Sequence, residues 1–210
     1  MTVGRASFMM APSRQEGRTA VNRIEHIALM ATYNQWMNRK VYDAAAALTH
    51  AQLTLDRQAF FGSIFGTLNH LMLGDTVWLK RFAEHPANFA ALAPLNGVAT
   101  PGDLKQLAFA SLAELAAHRA WLDQLIIDWA HSLQEPHLDH RLRYHNMRGV
   151  AAEKPFFGLL VHFFNHQTHH RGQVTTLLSQ AGVDVGVTDL LALIDCRPTR
   201  SMCGLPAMAV

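Results

Sequence analysis

Apolar side chains recur every three or four residues along four long stretches of this chain, the spacing of helices that each bury one face. The first stretch runs from Thr19 to about Leu48 and puts Ile24, Ile27, Ala31, Asn34, Asn38, Val41, Ala45 and Leu48 on one side. The second runs from about Arg57 to Phe82, with a stripe of Phe61, Ile64, Phe65, Leu68, Met72 and Leu79, and His85-Pro86 ends it. The third opens at Thr100-Pro101-Gly102-Asp103, which reads as a hydroxyl cap, a first-turn proline and an early acid. Its stripe of Leu104, Leu107, Ala108, Ser111, Leu115, Leu122, Leu125, Ile126 and Trp129 leads to about Leu133, and Glu135-Pro136 stops it. The fourth starts near Pro155 and closes at Ala181-Gly182, a glycine C-cap. Residues 49–56 read as a loop and 86–99 as an Ala/Pro-rich connection. Residues 137–153 read as a turn or short hairpin around Met147-Arg148-Gly149, and 189–194 as a short helical piece.

Four such helices predict an all-α fold, a four-helix bundle with longer connections between helices 2 and 3 and between helices 3 and 4. Those connections leave a strict up-down-up-down order unforced. The chain has 210 residues, half of them hydrophobic and 16% charged, enough to bury one core and too apolar for general disorder. No apolar run approaches the roughly 18–20 residues of a membrane span, so a cytoplasmic protein without a membrane partner is expected. Eighteen basic against sixteen acidic residues leave a net charge of +2, which argues against nucleic acid as a partner. Cys196 and Cys203 have no metal-site spacing around them, so neither a disulfide scaffold nor a cysteine nucleophile is expected. Residues 1–19, with Arg5, Arg14 and Arg18, read as a flexible N-terminal tail, a transit peptide being the alternative. Residues 20–195 read as the bundle and 196–210 as a flexible C-terminal tail.

Thirteen histidines are many for this length, and their placement decides their meaning. In the run His162-Phe163-Phe164-Asn165-His166-Gln167-Thr168-His169-His170-Arg171-Gly172-Gln173, a helical advance of about 100° per residue sets His166 and His170 on or beside the apolar face. His162 and His169 fall at its margin. At i and i+4 the His166 and His170 rings can converge on one ion, or pack as two satisfied core residues. His70, in the second helix, faces away from the bulky stripe among Ser63, Gly66, Thr67 and Gly74. Small neighbours there leave room for an ion and a substrate, or only allow close helix packing. Asn34, central in the first stripe with Asn38 beside it, would orient a ligand, contact substrate or tie two helices together. His118 lies at the edge of the third stripe and reads as a packed or surface histidine, with a fourth-ligand role as the alternative.

Other chemistries find no support. There is no glycine-rich phosphate loop and no HExxH motif, and neither inward histidine has the Glu three residues earlier that di-iron bundles use. Three neutral imidazoles with an open position would suit zinc or nickel.

Asn165-His166-Gln167-Thr168-His169-His170-Arg171-Gly172-Gln173, followed by Leu177-Leu178 and Ala181-Gly182, resembles the last bundle helix of the DinB family. Thr67-Leu68-Asn69-His70 with Asp75 and Trp78-Leu79 resembles that family's second helix, and Tyr33-Asn34-Gln35-Trp36 with Asn38 its first. The resemblance spans about residues 20–195. It implies a DinB/YfiT-like four-helix bundle with a divalent metal held by His70, His166 and His170. It also implies, from characterised relatives, a metal-dependent transferase or isomerase chemistry that uses a low-molecular-weight thiol. On that reading the ion activates a small thiol or water for attack on a small-molecule electrophile, with Asn34 supporting a ligand or touching substrate. The alternative is a non-catalytic, stress- or damage-associated metal-binding protein. A homodimer is expected from related bundles.

Overall fold

The computed structural model describes residues 22–194, so the two tails, Cys196 and Cys203 lie outside the described residues. Four long helices form the bundle: α1 (Arg23–Ala45), α3 (Ile64–Ala83), α4 (Leu112–Ser132) and α6 (Phe156–Gln180). Short helices α2 (His50–Thr54) and α5 (Glu135–Leu138), a hairpin of β1 (Arg141–His145) and β2 (Ala151–Pro155), and two 3-10 turns (Ala90–Gly97, Leu190–Leu193) fill the connections. Helix α1 packs chiefly on α4 and α6, and α3 packs on the same two helices. Consecutive long helices α1 and α3 therefore lie across the diagonal, as do α4 and α6. Long connections make that order possible, since each must cross an end of the bundle.

Helix ends follow local chemistry. Asn22 caps α1 by accepting from the Ile24 and Glu25 N–H groups. Gly182, at φ 80°, ends α6 in a Schellman motif. There the Val183 N–H bonds the Leu178 carbonyl, and the Gly182 N–H bonds that of Ser179.

Three sequence expectations are corrected. Residues 49–56 are not simply a loop, because Thr49 and Gln52 form a reciprocal capping box that starts α2. The second long helix begins at Ile64, not near Arg57. Gln58 and Gly62 both take positive φ, and the Ser63 hydroxyl accepts from the Gly66 N–H to begin the helix. Phe61, expected in the helical stripe, is thus on a loop. The third helix begins at Leu112, not at Thr100. Ser111 caps it by accepting from the Glu114 N–H, and Glu114 returns a bond to the Ala110 N–H. The proline-glycine start loses because α3 holds residues 104–108 in irregular backbone. Asn69 Oδ1 accepts from the Ala108 N–H, and the Leu104 carbonyl accepts from His70. The hairpin expected within 137–153 is present, extending to Pro155, with Arg141 opposite Pro155 and His145 opposite Ala151.

The core is aromatic at the end nearest the hairpin. Phe82 stacks on Trp129 at 5.2 Å, and Phe156 and Phe163 meet Phe82 edge-on. All four are buried, and truncating one such ring to Ala costs about 3–5 kcal/mol. No helix among the described residues is long and apolar enough to cross a membrane.

A second group of histidines, His85, His137 and His140, closes this end. His85 is buried; its Nε2–H donates to the His137 carbonyl, and its Nδ1 accepts from the Ala87 N–H. Both nitrogens are satisfied only in the neutral ring, so this histidine is structural. Burial pushes its pKa below the ordinary range, with the carbonyl bond opposing. The unfolded chain therefore takes up this proton first. The stability gained by keeping His85 neutral is complete above pH ~6.5 and is lost as pH falls toward the folded value. In thermal melts of metal-free protein, His85→Gln should lose less melting temperature than the parent between pH 7 and pH 5.

Candidate metal centre

Three histidines from two helices meet between α3 and α6. His70, His166 and His170 each offer a ring nitrogen, and these nitrogens all lie within 4.8 Å of one another. The His70–His170 and His166–His170 ring centroids are 4.5 Å apart, and His70–His166 5.3 Å. The α6 pair comes from one helical turn, as the sequence spacing requires. His70 reaches them because α3 turns its small-residue side to α6. A Cβ added at Gly74 would stand 3.0 Å from His166 Cε1, so the His166 ring would have to give by a few tenths of an ångström. The glycine is therefore the notch in which the His166 ring sits.

The donor chemistry fits a cation. His70 Nδ1 lies 3.1 Å from the Leu104 carbonyl oxygen, which can only accept, so Nδ1 carries the proton. His170 Nδ1 stands likewise 2.8 Å from Gln173 Oε1. Both Nε2 atoms are left with lone pairs, and they face each other at 3.2 Å. Two lone pairs at that distance repel unless a positive charge lies between them. A shared proton is disfavoured, because burial pushes His70 down to about 4 and His166 down to about 3, and lowers His170 as well. His166 Nδ1 is buried without a partner. A divalent ion satisfies this set, and neutral imidazole is the form that binds one. Phe61 stacks on His70 at 3.7 Å and meets His170 edge-on, so the loop before α3 covers one side of the cluster.

The nitrogen cluster of His70, His166 and His170 does not include their neighbours His162 and His169. His162 and His169 are exposed on α6, as their marginal position predicts. His118 lies against Phe109 and Trp121, outside the cluster.

Beneath the site runs a buried polar network. Asn34 is fully buried; its amide N–H donates to Asp123 Oδ1 at 3.0 Å, and its Oδ1 accepts from Arg171, the residue after His170. Asn38 donates to the same Asp123 oxygen at 2.9 Å. Arg119 pairs with Asp123 at 2.8 Å and with Asp75 at 2.5 Å. Asn34 thus makes no hydrogen bond to the three histidines. It reaches them through Arg171, and it also ties α1 to α4 and α6. Burial pushes Asp123 up to about 6 against the pull of Arg119, and pulls Arg171 down to about 10. Arg171 has the Tyr33 ring face beside it, its charged group 5.4 Å from the ring centre.

The sequence reading missed Arg119 and Asp123. Their signal was present: Arg119 sits within the apolar stripe, four residues after Leu115 and three before Leu122, with Asp123 four residues on. A charge inside a buried stripe implies a partner. Leu104 as a carbonyl acceptor carried no signal, since any residue supplies that group.

A family model described as DinB family matches residues 19–201. The chain is similar to Protein DinB of Bacillus subtilis (strain 168), with 26% identity over 157 residues, which is 75% of this chain and 87% of that protein. No solved structure matches the chain significantly.

Gly74→Ala should lower metal affinity about tenfold, read by competition with a chromophoric chelator, because the added carbon displaces a ligand ring. Helix propensity favours the alanine by about 1 kcal/mol, so the unfolding midpoint should not fall far. Asn34→Leu strands a buried guanidinium and should cost about 3 kcal/mol in urea denaturation.

Proposed function

This chain belongs to the DinB family, and on that premise we propose that it binds one divalent metal ion on His70, His166 and His170 and acts as a metal-dependent enzyme on a small-molecule electrophile. The observation that carries this reading is the opposed pair of Nε2 lone pairs on His70 and His170. Zinc or nickel suits three imidazoles, and either supplies a Lewis acid that lowers the pKa of a small thiol or water to make it a nucleophile near neutral pH.

The chain's own residues divide the remaining work. The Leu104 carbonyl and Gln173 hold His70 and His170 in the tautomer that points Nε2 inward. Phe61 excludes water from one side of the cluster. His162, one helical turn before His166, lines a cavity of about 340 Å³ with Trp78, Tyr144, Lys154 and Leu159.

Elemental analysis of the purified protein should find about one zinc or nickel per chain. His70→Ala, His166→Ala and His170→Ala should each lose it while keeping their helical circular dichroism. Stoichiometric metal retained in His166→Ala would overturn the ligand set. Tight metal binding with no rate enhancement toward any thiol–electrophile pair would favour a non-catalytic metal-binding role.

A further inference from the structure

The three-histidine cluster is nearly shut. His70 and His170 are only 5% and 8% exposed, although an ion, and any group that reacts on it, must reach their inward nitrogens. Two irregular segments close over His70, and they are attached in different ways. The segment before α4 is bonded to α3, through the Leu104 carbonyl to His70 and the Ala108 N–H to Asn69. The loop before α3 is bonded to itself. Its Arg57 N–H donates to the Gly62 carbonyl, its Gly62 N–H to the Ala59 carbonyl, and its Gln58 N–H to the Asp56 carboxylate. Among the described residues, 56–62 make no hydrogen bond beyond Ser63.

Packing alone holds this loop down. The Phe61 ring lies on His70 at 3.7 Å, with 18° between the planes, and meets His170 edge-on at 5.4 Å. Ala59 packs against the core. Beside Phe61, the Phe60 ring is 73% exposed, with the Lys105 ammonium 5.2 Å from its centre. Lifting the 104–108 segment would leave His70 Nδ1 and the Ala108 N–H unpaired, and parting α3 from α6 would open the core. Lifting the loop carries its own hydrogen bonds along and gives up ring packing only. Gly66 sets where the loop comes down. A Cβ added there would overlap the Phe61 carbonyl oxygen, so glycine in the first turn of α3 lets the Phe61 backbone lie against the helix with its ring over His70.

We propose that residues 56–62 are a lid on the histidine cluster. The loop swings as one closed unit about its junctions with α2 and α3, lifts Phe61 from His70, and closes again on the Gly66 notch. Its use, to admit ion and substrate, rests on the metal-binding reading above; the motion itself belongs to the metal-free protein as well.

Diethyl pyrocarbonate, which acylates neutral imidazole, tests access in metal-free protein. Modification is read by mass spectrometry at His70 and, as an internal control, at His85 beyond the other end of α3. The lid is locked by joining Phe60→Cys to Lys105→Cys with a short bis-maleimide, in a chain that also carries Cys196→Ser and Cys203→Ser. Against the same variant capped with N-ethylmaleimide, the bridge should slow His70 modification about tenfold and leave His85 unchanged. Phe61→Ala and Gly66→Ala should each speed it about tenfold, again without His85. Zinc(II) loaded before bridging should pass to excess EDTA about tenfold more slowly. The proposal is overturned if the bridge changes neither rate, or if both alanine variants raise modification of His85 as much as of His70, which marks loss of the fold rather than opening. Protein that takes up no zinc while the bridge still protects His70 removes the metal reading and keeps the lid. Zinc bound normally, with no effect of the bridge, does the reverse.

Discussion

The four long helices of this protein are joined through one buried carboxylate. Asp123 on α4 accepts from Asn34 and Asn38 on α1 and pairs with Arg119 on its own helix, which reaches across to Asp75 on α3. Asn34 in turn receives Arg171 from α6. Apolar packing holds the bundle together but is indifferent to small shifts of one helix along another. Hydrogen bonds between charged and amide groups are not, and buried ones are costly to leave unmade. This network therefore specifies the register of the helices more than it adds to net stability.

Register matters because the three-histidine cluster is assembled from two helices. His166 and His170 share a turn of α6, while His70 and the Gly74 notch come from α3. Arg171 follows His170 directly, so the network that positions α6 against α1 and α4 also positions the histidine pair of that helix. The connections complete the site. Leu104, from the segment before α4, fixes the His70 tautomer, and Phe61, from the loop before α3, covers the ring. The segment before α4 is irregular because Leu104 and Ala108 bond to α3, whereas the loop before α3 closes on itself through the Arg57 N–H to the Gly62 carbonyl and the Gly62 N–H to the Ala59 carbonyl.

The histidines show how the same side chain serves opposite ends. At His85 both ring nitrogens are satisfied by backbone groups, and the ring is part of the core. At His70 and His170 only one nitrogen is satisfied by the protein, and the other is aimed at its counterpart. Abundance of histidine in the sequence did not distinguish these cases; the accounting of donors and acceptors does.

Much of the fold was legible in the sequence because it is written in short-range patterns. Helical periodicity placed the long helices, and Ala181-Gly182 marked the end of α6. The i, i+4 spacing of His166 and His170 put both on one face regardless of tertiary context. Where two local signals competed, as with Thr100 against Ser111 or Arg57 against Ser63, the sequence named the wrong start. The winner was settled by bonds to α3 and by two positive-φ residues. The role of His70 was left open by spacing alone. Its ring is as consistent with close packing as with an ion until α6 is set against α3. The sequence alone thus determined which residues form helices and which two histidines travel together, since both depend on the 3.6-residue turn. Only the tertiary structure decided that Asn34 bonds Asp123 and Arg171 rather than a ligand, and that the His70 ring, whose role spacing left open and the DinB resemblance implied, meets the other two with two lone pairs converging on one point. Those outcomes depend on helix register, and register is set by contacts between residues far apart in the chain.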